Sequence, residues 1–241
     1  MSKHKILAII PARAGSTRIP GKNIKKFCGK PLIAYTILQA KKIPFVDRIV
    51  VDTDSEKIAR IARHYGADVP FLRPSHLATS TAQVLEAIKH LLNRLKNEEK
   101  YNPDYIMILQ TTSPLREDRD IYECWNVMRR TNAGTVLTVA PTHPRLYHLD
   151  KNNNIVLANR ASVDSTNVQA WPPAYLLNGC FVYIVNVKTM LRENIIITKN
   201  TKAVICDKWR SVDLDTPDDW ILAELLYKNR KKLSRNLKKF K

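Results

Sequence analysis

Three cationic side chains lie within ten residues of one another near the amino end of the chain. Arg13, Arg18 and Lys22 are interleaved with Gly15 and Gly21 in a loop that directly follows a predicted strand. In open α/β sheets ligands bind beyond the carboxyl ends of strands, and a loop of small residues can present backbone N–H groups to phosphate oxygens. The loop therefore predicts a polyphosphate site, and the alternative is a basic turn without a ligand. It matches neither GxxxxGK(S/T) nor GxGxxG, so a kinase-like or dinucleotide site has no support.

Two carboxylates stand two residues apart near the other end of the sequence. Asp213 and Asp215 lie in a stretch predicted to be extended, where residues i and i+2 point to the same side. Paired carboxylates repel each other unless a cation lies between them, so a divalent metal is expected, and Mg²⁺ suits oxygen ligands shared with phosphates. The alternative for Asp215 is that it caps the following helix. Asp218 and Asp219 are expected to interact with the helix dipole rather than with a metal.

Short apolar runs alternate with helical periodicity along the chain, which is typical of a parallel sheet covered on both faces. Strands are predicted at Lys5–Ile10, Arg48–Asp52, Tyr105–Leu109, Thr135–Val139, Cys180–Val185 and Ala203–Cys206. Helices are predicted over Pro31–Lys42, Ser55–Tyr65, Thr81–Lys96 and Asp118–Arg130, and from Thr216 onward. The pattern predicts a doubly wound α/β fold with a mostly parallel sheet and three layers, α/β/α.

Residues 1–227 are expected to form one domain. Within it, residues 140–178 are rich in Pro, His and Asn without a clear period. A stretch of this length inside a compact domain is usually functional, so we expect a lid or a dimerisation arm, with a loose surface loop as the alternative. Residues 228–241 are expected to form a basic C-terminal tail.

The formal net charge is +18, and eight of the basic residues lie between Lys228 and Lys241 with no acidic residue among them. A basic surface raises the possibility of nucleic-acid binding. The sequence has no recognised nucleic-acid-binding module and no aromatic residues interleaved with the cations, which favours a solvated helix end or frayed tail. The remaining surplus of positive charge suits a substrate that carries a triphosphate and a carboxylate.

The apolar stretch Ile6–Ile10 stops at Pro11 and is too short for a signal-peptide core or a membrane span. The four cysteines are scattered without a CxxC pair, which indicates reduced thiols rather than a zinc site or a disulfide framework. Both features predict a cytoplasmic protein.

Six short segments occur in an order and at separations that resemble the acylneuraminate cytidylyltransferases, also called CMP-sialic acid synthetases, and their nonulosonic-acid relatives. The resemblance covers nearly the whole chain. The segments are Pro11-Ala-Arg-Ala-Gly-Ser16 with Lys22-Asn23, Asp47-Arg-Ile-Val-Val51 with Thr53-Asp54, Phe71-Leu-Arg-Pro74, Leu109-Gln-Thr-Thr-Ser-Pro-Leu-Arg116, Asn178-Gly179 and Asp213-Leu-Asp-Thr-Pro217. Each segment alone is weak evidence for the resemblance, and the six segments in this order are strong evidence for it.

The resemblance implies a role for each matching residue and a nucleotide-diphospho-sugar transferase-like fold. It implies that Lys22, Arg13 and Asp215 act in catalysis and that Asp213 and Asp215 hold Mg²⁺. The residues implied to bind the nucleotide are Ala12, Arg13, Ala14, Gly15, Ser16, Lys22, Asn23 and Arg73. Those implied to bind the sugar acid are Gln110, Thr112, Ser113, Arg116, Asn178 and Tyr183. A homodimer is expected, with residues 140–178 as an arm that reaches the neighbour's pocket.

The sequence departs from the family pattern in the region expected to hold the sugar. Ser80 stands where relatives commonly have an acid. Before Asn178-Gly179, Val168-Gln169 stands where relatives usually have Arg-Gln, and Leu176-Leu177 stands where they have a further arginine. Arg145 and Arg160 are the candidates for the missing contact with the sugar carboxylate. These changes suggest an acceptor other than ordinary N-acetylneuraminate.

The expected activity is transfer of CMP from CTP to a nine-carbon, sialic-acid-like sugar acid, with release of pyrophosphate. The alternatives are a cytidylyltransferase for another acidic sugar, such as an eight-carbon ulosonic acid, and, from a different class, a basic nucleic-acid-binding protein. A panel of acceptor acids distinguishes the first two, and deletion of the basic tail tests the third.

Overall fold

The computed structural model of the chain describes residues 4–158, 171–177 and 181–240. The strands in these residues are β1 (Ile6–Pro11), β2 (Lys26–Phe27), β3 (Lys30–Pro31), β4 (Arg48–Asp52), β5 (Tyr105–Ile108), β6 (Thr135–Thr142), β7 (Tyr147–Leu149), β8 (Ile155–Leu157), β9 (Ala174–Leu176), β10 (Tyr183–Asn186) and β11 (Thr201–Ile205). The α-helices are α1 (Leu32–Ala40), α2 (Glu56–His64), α3 (Val84–Glu99), α4 (Asp118–Thr131), α5 (Val187–Glu193) and α6 (Pro217–Leu237).

The central sheet has the strand order β11-β6-β10-β5-β1-β4, and β9 extends it by pairing with β6. Only β10 runs against its neighbours among the six strands of this path, since its ladders with β5 and β6 are antiparallel and the other ladders are parallel. The predicted mostly parallel sheet is confirmed. The single reversed strand lies between the two parallel halves.

Both faces of the sheet are buried because consecutive side chains of a strand point to opposite sides. In β1, Ile6, Ala8 and Ile10 pack into a core that contains residues of α1, α2 and α4. Leu7 and Ile9 pack into a second core with residues of α3 and α5. The three-layer α/β/α fold is therefore confirmed, and the near-continuous apolar sequence of β1 follows from its burial on both sides.

Several boundaries differ from those expected. The helix predicted from Thr81 begins at Val84. Thr79, Ser80 and Ala82 precede the helix and line a pocket that is described below. The helix α5 was not predicted, since its seven residues are too few to display a clear period. The strand β6 extends three residues beyond the predicted Val139, to Thr142.

Part of the segment 140–178 has regular structure that its composition did not predict. The strands β7 and β8 form an antiparallel hairpin, and β9 pairs with the end of β6. The hairpin exposes large apolar side chains, with Leu149 63% and Ile155 70% exposed. Leu149 and Ile155 are opposite each other in the ladder, so they form one apolar patch.

The final helix begins as predicted. Thr216 is the N-cap, Pro217 occupies the first turn, and the Asp219 carboxylate accepts a hydrogen bond from the Thr216 backbone N–H in a reciprocal capping box. The helix continues past residue 227 to Leu237, so most of the basic residues expected in a tail lie on α6 itself. Among the described residues no helix is both long enough and apolar enough to cross a membrane.

Candidate active site

A pocket of about 320 Å³ lies at the carboxyl edge of β1, β4 and β5. The strands end together there, since Pro11 is opposite Asp52 and Ile9 is opposite Ile108 in the two parallel ladders. Parallel strands place the loops that follow them at one edge, which is where open α/β sheets bind ligands. The predicted site residues that line the pocket are Arg13, Ser16, Lys22, Asn23, Arg73, Gln110, Thr112, Asp213 and Asp215.

The first part of the opening loop is tied to the residues that follow β4. The backbone N–H of Ala12 donates to the carbonyl oxygen of Asp52 at 2.9 Å. The backbone N–H of Ala14 donates to the carboxylate of Asp54 at 2.8 Å. Neither Ala12, Ala14 nor Gly15 lines the pocket, so their assignment to the nucleotide stays a prediction, and the Ala14 amide is already occupied by a carboxylate.

Asn23 anchors the second part of the loop. Its amide nitrogen donates to the carbonyl oxygen of Arg13 at 2.9 Å, and its amide oxygen accepts from the Thr111 hydroxyl at 2.6 Å. Gly21 precedes it with a φ of 64°, a left-handed conformation that favours glycine, and it begins the short 3₁₀ turn that contains Lys22. The buried Asn23 side chain therefore joins the cationic loop to the end of β5.

Lys22 and Asp215 meet in the pocket although 193 positions separate them in the numbering. The Lys22 ammonium donates to the carbonyl oxygen of Leu214 at 2.6 Å and lies 3.5 Å from an Asp215 carboxylate oxygen. Arg18 lies 3.4 Å from the other oxygen of Asp215. The Lys22 side chain is mostly buried, whereas Arg18 is largely exposed. The two sets of residues that the sequence predicted to act together therefore share one site.

Asp213 is the more buried of the two paired acids. Its Oδ1 atom is buried and has no hydrogen-bond partner among the described residues. Burial raises the pKa of Asp213 and the nearby Asp215 charge raises it further, whereas a side-chain hydrogen bond with Thr112 and the charge of Lys22 oppose the rise. An orphaned, buried carboxylate oxygen in a pocket with a second carboxylate fits a hard divalent cation such as Mg²⁺. No cluster of three or more potential metal ligands occurs in the described part of the chain, so such an ion would need water or phosphate oxygens to complete its shell.

We expect Asp213→Asn to raise the melting temperature of the metal-free protein at neutral pH. The native state of the wild type holds the Asp213 proton to a higher pH than the unfolded state does, so stability falls as pH rises from the ordinary aspartate range through the raised pKa. The asparagine removes that penalty, and its advantage shrinks at acidic pH. Thermal unfolding at several pH values in EDTA measures the difference. The exposed Asp218→Asn serves as control, and a metal-free wild type more stable than Asp213→Asn at neutral pH would contradict the expectation.

Two further residues predicted to bind the nucleotide, Arg73 and Arg13, line the pocket. The Arg73 guanidinium donates to the Asp52 carboxylate at 2.6 Å in a buried ion pair, and its Nε atom is buried without a partner. The Arg13 guanidinium donates to the carbonyl oxygen of Thr79 at 2.8 Å. Both arginines are therefore held in place by protein acceptors at the wall of the pocket.

The segment after β5 divides between two surfaces. Gln110 and Thr112 line the pocket, and the Thr112 hydroxyl lies 3.3 Å from the Gln110 side-chain oxygen. Ser113 and Arg116 do not line it. The Arg116 guanidinium is buried and donates to the Gln39 side chain at 2.8 Å and to the carbonyl oxygen of Phe181 at 2.8 Å. These contacts fix the loop after β5, so the structure gives Arg116 a positioning role and leaves its contact with a sugar a prediction.

The remaining sugar-site residues lie elsewhere or outside the described residues. Tyr183 is buried in the second core and does not line the pocket. Arg145 stacks its guanidinium 4.7 Å from the ring centroid of Trp171, within the segment 140–178. Asn178 and Arg160 lie outside the described residues.

Several residues of the pocket were not predicted from the sequence. Thr79 lines it beside Ser80 in the segment between α2 and α3, and Thr111 lines it beside Gln110. Asp52 was not recognised as the partner of Arg73. An acid at the carboxyl end of a predicted buried strand was the available signal, because such a position faces the ligand edge of the sheet.

A three-layer α/β sheet with a cationic loop after its first strand and two carboxylates in the same pocket is the arrangement expected of a nucleotidyltransferase. The sequence matches the family described as Cytidylyltransferase over residues 7–208. The chain belongs to the cytidylyltransferase family, as the resemblance of its motifs predicted.

Relatives of known activity align with almost the whole chain. The CMP-N,N'-diacetyllegionaminic acid synthase of Legionella pneumophila is 37% identical over 92% of this chain and 96% of that protein. The pseudaminic acid cytidylyltransferase of Campylobacter jejuni is 31% identical over 93% of this chain and 97% of that protein. A solved CMP:2-keto-3-deoxy-manno-octonic acid synthetase complexed with CTP is similar in fold, with a TM-score of 0.67 and 15% identity over 94% of this chain and 99% of that one.

Proposed function

We propose that this enzyme transfers CMP from CTP to a nine-carbon, sialic-acid-like nonulosonic acid and releases pyrophosphate. The observation that carries the proposal is the meeting of Lys22 from the opening loop with Asp215 from the segment before α6, at 3.5 Å. A triphosphate needs cations along its length and a divalent ion with carboxylate ligands, and this pocket supplies both kinds of group. The named activities of the relatives support the same reaction.

The oxygen of the anomeric hydroxyl of the sugar acid forms a bond to the α-phosphorus of CTP, the hydroxyl proton leaves to solvent, and the bond from the α-phosphorus to pyrophosphate breaks. Negative charge grows on the phosphoryl oxygens and on the leaving group, so position and charge neutralisation account for most of the catalysis. Lys22 would neutralise the α-phosphate region, and Arg13 would neutralise the triphosphate, since both line the pocket. Asn23 and its bond to Thr111 hold the loop in the required conformation.

Asp213 and Asp215 would hold Mg²⁺, which lowers the charge on the phosphate oxygens when bound. The support for this assignment is the buried, unpartnered Oδ1 of Asp213 beside a second carboxylate. The Lys22 ammonium near Asp215 keeps the pocket from carrying two uncompensated negative charges before the ion binds.

A panel of acceptors tests the function. The purified full chain is incubated with CTP, Mg²⁺ and, in turn, N-acetylneuraminate, N,N'-diacetyllegionaminate, pseudaminate and an eight-carbon ulosonic acid, and both pyrophosphate and CMP-sugar are measured. We expect turnover with at least one nine-carbon acid and preference for one other than N-acetylneuraminate. Turnover restricted to the eight-carbon acid would overturn the acceptor class, and no pyrophosphate with any acid would overturn the proposal.

A homodimer and a cytoplasmic location complete the proposal. The exposed apolar patch of Leu149 and Ile155 supports self-association. An isolated two-stranded hairpin is only marginally stable in water, and contact with a second subunit would bury its apolar side chains. Cys28 and Cys124 are free thiols, which suits a reducing compartment. The arm that bears the hairpin would reach the neighbouring subunit.

We expect Leu149→Glu/Ile155→Glu to convert the dimer into a monomer, because each substitution places a charge in an apolar contact. Light scattering coupled to size-exclusion chromatography measures the mass. The matched control is Lys151→Glu/Asn152→Glu, which adds the same side chains at the turn of the hairpin. A wild-type monomer, or a double variant that remains a dimer, would contradict the assignment of the hairpin to the interface.

A further inference from the structure

A second and larger cavity lies on the other side of the segment 110–116. It is an open groove of about 740 Å³ between α1, the start of α4 and the second half of α6. Thr112 lines the substrate pocket, and Ser113 and Arg116 line this groove, so the same segment separates the two sites. The mechanism described above leaves the groove without a role.

The groove is strongly cationic. Its lining contains two carboxylates and the five cations Lys42, Arg116, Arg230, Lys231 and Arg235. Both carboxylates have other partners, since Glu117 lies 2.6 Å from Arg119 and Asp118 accepts a hydrogen bond from the Gln39 amide at 2.9 Å. Most of the positive charge is therefore uncompensated, which indicates a polyanionic ligand.

The base of the groove contains two buried polar groups that suit an anion. Burial lowers the pKa of Arg116 to about 10, which leaves it cationic at neutral pH. Ser113 is 2% exposed, and its hydroxyl has no hydrogen-bond partner among the described residues. A buried hydroxyl without a partner destabilises the protein, and a hydrogen bond to a ligand oxygen would remove that cost.

The wall of the groove contains an available aromatic ring. Trp209 is half-buried there and makes no ring or cation contact among the described residues. The ring of Tyr227, in contrast, is already covered by the Arg230 guanidinium at 3.9 Å. A free indole beside a row of cations matches a molecule with a flat ring and phosphates.

We propose that this groove binds a second nucleotide, separate from the one that is turned over. Its phosphates lie against Lys42, Arg230, Lys231 and Arg235, and its base stacks on Trp209. The carbonyl oxygen of Gln110 accepts a hydrogen bond from Arg116 at 3.1 Å, so the floor of the groove is bonded to the wall of the substrate pocket. The inference does not depend on which sugar acid is the acceptor.

Equilibrium binding of radiolabelled CTP to the full chain tests the proposal, with Mg²⁺ present and no sugar acid, so that CTP is not consumed. We expect two CTP molecules per chain. The variant Arg230→Glu/Lys231→Glu should retain one, and Lys232→Glu/Lys238→Glu, which makes the same charge change on the same helical end outside the groove, should retain both. Trp209→Ala should weaken one site by about tenfold, as expected for the loss of one stacked base.

Three results would overturn the proposal. The first is one CTP per chain in the wild type, and the second is an unchanged isotherm in Arg230→Glu/Lys231→Glu with its fold intact by circular dichroism. The third is that inorganic pyrophosphate competes for the groove as well as unlabelled CTP does. That result would show that the groove binds phosphates and does not recognise a nucleotide. An Arg13→Glu chain that loses one site and keeps the Arg230-dependent one separates this test from the test of the substrate pocket, because Arg13 lines that pocket and not the groove.

Discussion

Asp215→Asn is expected to reduce kcat/KM for CMP transfer by about a thousandfold, close to 4 kcal/mol of transition-state stabilisation. The substitution keeps the size of the side chain and removes the charge that would hold Mg²⁺. It also removes the carboxylate that lies 3.5 Å from the Lys22 ammonium. Steady-state kinetics with varied Mg²⁺ measures the effect, and the Mg²⁺ concentration needed for half-maximal rate should rise as the rate falls.

Asp218→Asn is the matched control for this substitution. Asp218 lies three residues further on, is exposed in the first turn of α6 and does not line the pocket. It should retain its activity. Folding should survive Asp215→Asn, because both ion pairs of Asp215 are partly exposed and such pairs contribute little to stability. Equal rates for the two variants would remove Asp215 from the metal site.

The sheet and its ligand edge were predictable because they follow from strong local patterns. The strand β4 was predicted with its observed bounds, and α1, α2 and α4 were placed correctly from apolar residues recurring at three and four. The hairpin of β7 and β8 was not predictable in the same way. Its strands are three residues long and exposed on both faces, so no alternation of apolar and polar residues marks them.

The individual roles of site residues were less predictable than their location. Lys22 and Asp215 could be assigned to one site because a bound nucleotide needs both a cation near its phosphates and a carboxylate that holds its metal ion. Arg116 could not, because an arginine after a strand has the same sequence signal whether it contacts a ligand or donates to backbone carbonyl oxygens. The carbonyl oxygen of Phe181, which accepts from Arg116, is 65 residues away, and only the fold brings it there.

Lys22→Ala is expected to lower kcat by about 10²–10³-fold, as is usual when a group that stabilises developing negative charge is removed. The ammonium is mostly buried and fixed by its 2.6 Å bond to the carbonyl oxygen of Leu214. It would therefore need no reorganisation to stabilise an α-phosphate bound in the pocket. Lys22→Arg should restore only part of the rate, since a planar guanidinium does not occupy the position of an ammonium. Rapid-quench measurement of the chemical step, with CTP affinity measured separately, distinguishes catalysis from binding.

Lys26→Ala is the control, because it removes an exposed lysine on β2, four residues after Lys22 and outside the pocket. This variant should keep full activity.

The bond from Lys22 to Leu214 also joins the opening loop to the segment before α6, so a purely structural role for Lys22 is the competing explanation. That explanation requires a lower melting temperature and weaker CTP binding in proportion to the loss of rate. A Lys22→Ala enzyme with an unchanged chemical step, or one whose lost rate is fully explained by lost CTP affinity, would assign Lys22 to the architecture of the pocket and leave charge neutralisation to Arg13 and the metal.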